Sequence, residues 1–221
     1  MKFFLAIILF INCNQHMTQK PLTMICLGDS YTIGEKVSEQ ERFPNQTVAL
    51  LNIAGFKFSD PKIIATTGWT TDELMNGIDA DGESGKFDFA TLLIGVNNQY
   101  RGRSVEDYMP QFTELLQKAI AFAKGNAKHV WVISIPDWGV TPFAAERNRN
   151  EIAEQIDAYN TANKLIAGKN SCHYIDITPG SRMAANDASL IAEDGLHPSG
   201  KMYAQWALQL ANEIQKQIES E

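Results

Sequence analysis

The stretch LTMICLGDS, residues 22–30, decides the fold. Its apolar part, Leu22 to Leu27, has the length of one buried strand and ends abruptly in a Gly-Asp-Ser turn signal. A serine directly after a buried strand lies at the edge of an α/β sheet where such folds bind ligands. The pattern therefore makes Ser30 a candidate nucleophile, although an ordinary strand-to-loop turn would read the same way.

Four further apolar runs follow, each separated from the next by a helical pattern. The predicted strands lie within residues 56–65, 87–94, 129–135 and 173–177. The predicted helices begin near residues 44, 70, 104 and 146, and apolar residues from Tyr203 to Ile214 mark a final helix. Alternating strands and helices predict parallel β-α units, and continuous apolar runs are typical of buried parallel strands. We therefore predict a three-layer α/β/α sandwich with five parallel strands in the flavodoxin-like order 2-1-3-4-5.

The composition is that of a globular protein with one sizeable core. The chain has 221 residues, of which 44% are hydrophobic and 20% are charged. The formal net charge of −7 disfavours nucleic acid or an anionic membrane surface as the main partner, since both attract basic surfaces.

The first residues differ from the rest of the chain. Lys2 precedes an apolar run from Phe3 to Ile11, so residues 1–16 are predicted to be a signal peptide or lipoprotein signal and residues 20–221 a single domain. An uncleaved anchor or a first core strand are the alternatives. Cys13 follows the run in a segment that resembles a relaxed bacterial lipobox. A lipid-anchored protein and a freely secreted or periplasmic one both stay open, and the only expected membrane link is a lipid on Cys13.

The two remaining cysteines are Cys26 in the first predicted strand and Cys172 at the start of the fifth. In the proposed strand order these strands are three steps apart, which is about 14 Å at the usual spacing. A disulfide requires Cα atoms within about 7 Å of each other. Both residues are therefore predicted to be free thiols.

Three strand ends and a late loop carry residues suited to acyl transfer. Ser30 follows strand one, Gly68 follows strand two, Asn97 follows strand three, and the loop after strand five contains Asp194 and His197. Because the carboxyl ends of parallel strands share one edge of the sheet, these residues are expected to meet there.

Each of these residue types supplies something that acyl transfer needs. A serine hydroxyl requires a base, and a histidine accepts its proton near neutral pH. Asp194 stands three residues before His197, a spacing at which its carboxylate reaches the far imidazole nitrogen and orients the ring. The backbone N–H groups of Ser30 and Gly68 and the amide of Asn97 are candidate oxyanion donors, each typically worth about 2.7–4 kcal/mol in the transition state.

These segments together resemble the four blocks of the SGNH (GDSL-type) hydrolases, a family with small secreted or lipid-anchored bacterial esterases. The blocks are Gly28-Asp29-Ser30, Gly68, Gly95-Val96-Asn97 and Asp194-Gly195-Leu196-His197, in the family's order. The resemblance implies Ser30 as nucleophile, His197 as base, Asp194 as the orienting residue, and Ser30, Gly68 and Asn97 as oxyanion donors. It also implies hydrolysis of a small-molecule or polymer-borne carboxylic ester, without a metal or organic cofactor.

Two positions depart from the family pattern. Asn98 stands where the third block usually has aspartate, which puts the geometry of that loop in question, and Tyr31 stands where the first block usually has leucine. An asparagine both accepts and donates hydrogen bonds, so we expect Asn98 to hold the loop in place of the carboxylate.

The motifs leave several functions open. A short-chain acyl esterase or lysophospholipase-like enzyme is favoured over a carbohydrate acetylesterase, and the same residues fit both. A non-catalytic envelope lipoprotein that binds a ligand at the same edge of the sheet is a more remote alternative, because such a protein has no need for an intact Ser-Asp-His set. A flavodoxin-like nucleotide or flavin binder would need a glycine-rich fingerprint after strand one, where the acidic Asp29 instead repels phosphate.

Other residues have a functional and a plain structural interpretation. Asp29 is expected to shape the turn rather than to touch substrate. Asp137-Trp138-Gly139 either walls the pocket or forms a simple turn. The aromatic residues Trp69, Tyr100 and Phe143 either line the pocket or simply pack against their neighbours. Arg101 and Arg103 either bind an anionic group of the substrate or are solvated. His16, His129 and His173 do not form a metal-ligand pattern.

Overall fold

The sheet has the predicted strand order. The computed structural model describes residues 20–221, so the predicted signal segment and Cys13 lie outside the described residues. All pairings are parallel and the order is β2-β1-β3-β4-β5. The strands are β1 (Met24–Gly28), β2 (Lys62–Ala65), β3 (Phe89–Leu93), β4 (Val130–Ile133) and β5 (His173–Ile175).

Helices cover both faces of this sheet. They are α1 (Ser30–Ile33), α2 (Phe43–Ile53), α3 (Thr71–Asp81), α4 (Val96–Tyr100), α5 (Val105–Phe122), α6 (Arg149–Lys169), α7 (Thr178–Arg182) and α8 (Gly200–Glu219). Helices α2 and α8 pack against each other, whereas α3, α5 and α6 form a second packed set. The three-layer α/β/α architecture is therefore confirmed. In the described part of the chain, no helix combines the length and apolar content needed to cross a bilayer.

Local signals explain where several helices begin. Thr70 and Glu73 form the predicted capping box of α3, and Ser104 accepts a hydrogen bond from the backbone of Asp107 at the start of α5. Asn148 caps α6, which therefore begins at Arg149 and not at the predicted Glu146. The apolar pattern predicts an end at Ala167, and the helix runs two residues further, to Lys169.

Several strands are shorter than the predicted apolar runs, and the structure gives the reason for β2 and β5. The second predicted region begins at Phe56, but β2 covers only its last four residues. Pro61 has no N–H to donate to a neighbouring strand, so the strand begins after it. Before Pro61, Phe58 makes an isolated bridge to Leu22. The fifth strand was expected to reach Ile177 and ends at Ile175. The Ser134 hydroxyl accepts the N–H of Ile177, so a side chain replaces the next ladder carbonyl.

The strand register aligns the chain ends that carry the candidate site. Gly28, the last residue of β1, pairs with Ala65 on one side and with Leu93 on the other, and each is the last residue of its strand. Ser30 and Gly68 therefore emerge at the same edge of the sheet, and Asn97 emerges beside them.

Position 28 requires a glycine because other parts of the same chain approach it closely. A Cβ at this position would lie 2.4 Å from the carbonyl oxygen of Leu93 and 2.1 Å from the hydroxyl of Thr32. Any larger residue would push α1 away from β3. The glycine before Asp29 therefore lets the strand turn directly into the short helix that carries Ser30.

The two cysteines are far apart in the sheet. Cys26 is buried in β1 and half-buried Cys172 lies just before β5, three strands away, and both are free thiols in the structure. Burial raises the pKa of the Cys26 thiol to about 12, so this residue behaves as a small apolar side chain.

Candidate active site

Ser30 opens the one-turn helix α1. Asp29 is the N-cap residue, and its side chain accepts a hydrogen bond from the backbone N–H of Tyr31. Within residues 20–221 the backbone N–H of Ser30 donates no hydrogen bond, as expected for the first turn of a helix. That N–H is therefore free to donate to a bound group.

The loop of residues 191–198 carries His197 and Asp194. Ile191 and Pro198 form an antiparallel bridge that closes the loop, and the backbone N–H of Ala192 donates to the carbonyl of His197 at 2.7 Å. The carbonyl of Gly195 accepts from Phe143, which ties the loop to the segment after β4. These bonds hold the imidazole in one place.

Asp194 and His197 form the predicted pair. His197 Nδ1 donates to Asp194 Oδ2 at 2.6 Å, and Asp194 Oδ1 accepts from the backbone N–H groups of Leu196 and His197, both at 3.0 Å. Partial burial raises the pKa of Asp194, but these hydrogen bonds outweigh it and leave the pKa below its ordinary value. An ionised Asp194 keeps the proton on Nδ1, so Nε2 is the basic nitrogen.

Ser30, Asn97 and His197 line one pocket of about 150 Å³. This volume is small beside the roughly 300–1,000 Å³ of sites for drug-sized ligands. Among the described residues no hydrogen bond joins Ser30 to His197, and in free enzymes such bonds are often long and tighten when substrate binds. The remaining lining residues are Tyr31, Val96, Tyr100, Trp138, Phe143 and Leu196.

The amide of Asn97 is oriented by two acceptors. Its Nδ2 donates to the carbonyl of Trp69 at 2.9 Å and lies 3.5 Å from Asp29 Oδ2. Asn97 belongs to α4, directly after β3, so its position follows from the end of that strand. The donor nitrogen of the amide, and not its oxygen, is therefore the atom held between β1 and the loop after β2.

Gly68 lies beside this amide but does not line the pocket itself. Its φ is +86°, a conformation that favours glycine, and within the described chain its backbone N–H donates no hydrogen bond. Its carbonyl accepts from Arg101 Nη2 at 2.7 Å. Gly68 therefore has an unpaired donor one residue from Trp69, whose carbonyl holds Asn97.

Asn98 holds the loop as expected for a replacement of aspartate. It is fully buried, its Oδ1 accepts from the backbone N–H of Thr71 at 3.1 Å, and its Nδ2 donates to Thr71 Oγ1 at 2.7 Å. The Thr71 hydroxyl in turn bonds to Gln111. Asn98 thus ties α4 to the start of α3.

Aromatic side chains form one wall of the pocket. Tyr100, Trp138 and Phe143 contact one another with ring centroids 5.3–6.2 Å apart. The indole of Trp138 donates to Gln99 at 2.8 Å, so α4 positions this ring as well as Asn97. The wall interpretation therefore holds for Trp138, Tyr100 and Phe143.

Trp69 does not belong to this wall. Its ring lies against Gly77 in α3, where an added Cβ would come within 2.1 Å of the indole. The side chain is packed on a helix, and its backbone carbonyl is the part that serves Asn97.

The aromatic ring of Tyr31 also contacts His197, with 5.5 Å between ring centroids. Tyr31 is buried, and burial raises the pKa of its hydroxyl well above the ordinary value. The sequence shows a departure from the family tetrad at this position but contains no signal for its distant partner.

The candidate charged residues have internal partners. Arg101 pairs with Glu73 at 3.0 Å and Arg103 with Asp72 at 2.5 Å, both in the first turn of α3. Asp137, which is buried, pairs with Arg182 at 2.9 Å and fixes the turn that carries Trp138. These contacts favour the structural interpretation of all three residues.

The histidines outside the pocket have structural contacts. His129 bonds to the carbonyl of Asp88 at 2.8 Å, and His173 stacks on Trp131 with centroids 4.8 Å apart. Across residues 20–221, no group of three or more His, Cys, Asp or Glu side chains is placed to hold a metal ion. His16 lies outside the described residues.

A parallel sheet of this order, with helices on both faces, is the fold of the SGNH hydrolases. The chain matches the model of the GDSL-like lipase/acylhydrolase family over residues 26–205, and it belongs to that family. The match includes all five residues of the candidate site.

Solved structures are similar in fold at low identity. TesA aligns with a TM-score of 0.70 and 16% identity, covering 88% of this chain and 99% of TesA. The psychrotrophic esterase EstA from Pseudoalteromonas sp. aligns at 0.66 and 18%, covering 89% and 98%. The acetylxylan esterase Axe2 from Geobacillus stearothermophilus aligns at 0.66 and 17%, covering 87% and 94%. No curated protein sequence matches significantly.

Proposed function

We propose that this protein is a serine esterase that hydrolyses carboxylic esters of short acyl chains through an acyl-enzyme on Ser30. The observation that carries the proposal is one pocket lined by Ser30, Asn97 and His197, with Nδ1 of the histidine bound to Asp194. This arrangement leaves Nε2 as the base on the ring and provides an amide donor for the oxyanion.

The proposed reaction has two halves. His197 Nε2 takes the Ser30 hydroxyl proton as Oγ bonds to the ester carbonyl carbon, and the carbonyl oxygen becomes an oxyanion facing Ser30 N, Gly68 N and Asn97 Nδ2. The oxyanion collapses, the bond to the alcohol breaks, and His197 returns the proton to the departing alcohol. A water then attacks the acyl-enzyme by the same route and releases the carboxylic acid.

The size of the pocket supports a short acyl group. Its volume of about 150 Å³ is bounded by the ring of Trp138, which is buried and held by Gln99. Phe143 exposes 46% of its surface, whereas Trp138 is buried. Truncation of Phe143 is therefore expected to open the pocket with little damage to the core.

Truncation of Phe143 tests this limit on chain length. Across p-nitrophenyl esters from acetate to decanoate, kcat/KM of the wild type is expected to fall beyond about butyrate. Phe143→Ala is expected to shift the optimum to longer chains by about tenfold in relative kcat/KM. Leu165→Ala, which removes an equally exposed apolar side chain from α6, is the control. A Phe143→Ala profile identical to that of the wild type would refute the short-chain proposal.

A carbohydrate acetylesterase is the second candidate. Tyr100 and Phe143 expose 47% and 46% of their surface beside the pocket, and such apolar rings are suited to packing against a sugar. The fold neighbour Axe2 is an acetylxylan esterase. Release of acetate from acetylated xylan or pectin, with higher kcat/KM than for p-nitrophenyl acetate, would select this version.

A fluorophosphonate probe tests the nucleophile directly. We expect peptide mapping to find the label on Ser30, with no label in Ser30→Ala and much slower labelling in His197→Ala. Ser220→Ala, which removes an exposed serine at the end of α8, should label like the wild type. Folded protein that takes up no label, or takes it up elsewhere, would leave a non-catalytic ligand-binding protein as the better interpretation.

A further inference from the structure

Asp29 is a buried acidic residue that the proposed reaction does not use. Its side chain is fully buried, between the nucleophile and the oxyanion donor. Oδ1 accepts the backbone N–H of Tyr31 at 3.0 Å, which anchors the carboxyl at the start of α1. Oδ2 lies 3.5 Å from Asn97 Nδ2, on the chain segment that follows β3.

The contacts of Asn97 determine which way its amide faces. An asparagine amide can turn over and exchange its donor nitrogen with its acceptor oxygen. Here the nitrogen lies beside two acceptors, the Trp69 carbonyl at 2.9 Å and Asp29 Oδ2 at 3.5 Å. The reversed amide would place its oxygen against both acceptors and lose both contacts. The pair of acceptors therefore selects the orientation that presents a donor.

The unequal lengths of these two bonds matter for catalysis. The bond to Trp69 has an ordinary length and uses one hydrogen of the amide. The contact to Asp29 is longer than a good hydrogen bond, so the second hydrogen is oriented but weakly held. An oxyanion that develops next to Ser30 can take this hydrogen at little cost.

We propose that Asp29 is a positioning residue for the oxyanion hole, which orients the Asn97 amide so that one of its hydrogens is available to the substrate carbonyl. The inference rests on the proposed esterase function and deepens it. Asp29 touches neither the nucleophile's oxygen nor the substrate, and it acts through Asn97. Its anchor on the Tyr31 N–H makes that action possible, because it fixes the carboxyl relative to the start of α1.

A double-mutant cycle tests the route of this effect. The variants are Asp29→Asn, which keeps the size of the side chain but presents a donor to Asn97, Asn97→Ala, and the two combined. With p-nitrophenyl acetate, Asn97→Ala is expected to lower kcat by about 10²–10³-fold. Asp29→Asn is expected to lower kcat by about tenfold with KM nearly unchanged, and by less than about twofold in the Asn97→Ala background.

Asp88→Asn is the matched control for a half-buried carboxyl. Asp88 accepts from the backbone and hydroxyl of Thr23 at 2.8 and 2.9 Å, at the opposite end of β3 from the site. Its replacement should leave kcat unchanged. Full kcat in Asp29→Asn, or an equal fold loss with and without Asn97, would overturn the inference.

An NMR measurement gives a result that does not depend on activity. In ¹⁵N-labelled protein, the side-chain amide signals of Asn97 are identified by their disappearance in Asn97→Ala. Asp29→Asn is expected to shift these signals, and unshifted signals would overturn the positioning role even if no ester is hydrolysed. Wild-type protein that is inert toward esters and the probe, yet shows the shift, would refute the esterase proposal alone.

Discussion

At the scale of single residues, the hydrogen bond between Asp194 and His197 sets which imidazole nitrogen is basic. Replacing Asp194 with asparagine keeps the shape but lets an NH₂ group face Nδ1. The proton then moves to Nε2, and the ring can no longer accept the proton of Ser30. The lowered pKa of Asp194 shows that its contacts favour the charged form that the variant lacks.

We therefore expect Asp194→Asn to lower kcat for p-nitrophenyl acetate by about 10³–10⁴-fold with little change in KM. Asp187→Asn is the control, because Asp187 is a nearby carboxylate that pairs with Lys201 at 2.8 Å outside the pocket. An Asp194→Asn enzyme with wild-type kcat would contradict the orienting role.

Asp29 leads to a second prediction at the scale of single residues, which concerns the free energy of unfolding and not the rate of ester hydrolysis. Burial raises the pKa of Asp29 to about 7, against an opposing hydrogen bond from Tyr31. In the unfolded chain the pKa is about 3.9. The folded protein therefore holds a proton that the unfolded chain has lost, so this contribution to stability is full below about pH 4 and declines as pH rises to about 7.

Asp29→Asn cannot titrate, so it removes this decline. As pH rises from 5 to 8, we expect the unfolding free energy of Asp29→Asn, measured relative to the wild type, to increase by about 2–3 kcal/mol. The size follows because one pKa unit corresponds to about 1.4 kcal/mol. Urea unfolding at both pH values measures the difference. Subtracting the wild type cancels other titrations, and a gap that does not change with pH would show that Asp29 is not protonated in the folded protein.

The buried tyrosines near Asp29 and the carboxyl of Asp194 do not change charge in this window. Burial raises the pKa values of Tyr31, Tyr108 and Tyr203 well above their ordinary values. The pKa of Asp194 is lowered, so it stays ionised. These groups therefore add nothing to the expected pH dependence.

At the scale of elements, Asn98 joins α4 to α3 through Thr71. Asn98→Ala leaves the buried N–H of Thr71 without an acceptor, so we expect the unfolding free energy to fall by about 1–3 kcal/mol. Asn98→Asp restores that acceptor, and Thr71 can turn its hydroxyl toward it. The aspartate variant should therefore lose less than about 1 kcal/mol in urea unfolding, and equal losses in both variants would contradict the proposed link.

Local signals made most elements predictable from the sequence. The capping residues of α3 and α5 and the turn at Gly28 act within a few residues, so they can be found without a structure. The end of β5 could not be predicted, because it depends on a hydroxyl 43 residues away, that of Ser134. The end of α6 at Lys169, two residues beyond Ala167, likewise had no signal in the apolar periodicity.

The residues of the candidate site also divide into those that the sequence could predict and those that it could not. Ser30, Asn97 and His197 were found because each stands at a strand end or in a short motif, and the structure places all three around one pocket. The contacts of Tyr31 with His197 and of Gln99 with Trp138 join distant parts of the chain. Their side-chain types carry no information about such partners, so only the structure reveals them.

At the scale of the whole molecule, one connected core links both helical layers to the sheet. Trp131 in β4 and Trp206 in α8 are both buried members of this core. We therefore expect tryptophan fluorescence and far-UV circular dichroism to report a single guanidinium unfolding transition with coincident midpoints. Two separated midpoints would contradict the prediction that residues 20–221 form a single domain.

The late position of His197 has a consequence for synthesis. The serine is made early, but the loop with its base comes 167 residues later, immediately before α8, which packs on α2. A chain synthesised only as far as residue 190 therefore contains Ser30 but lacks the proposed base His197 and its partner Asp194. We expect the proposed nucleophile to gain its base only once residues 191–198 have folded against the sheet.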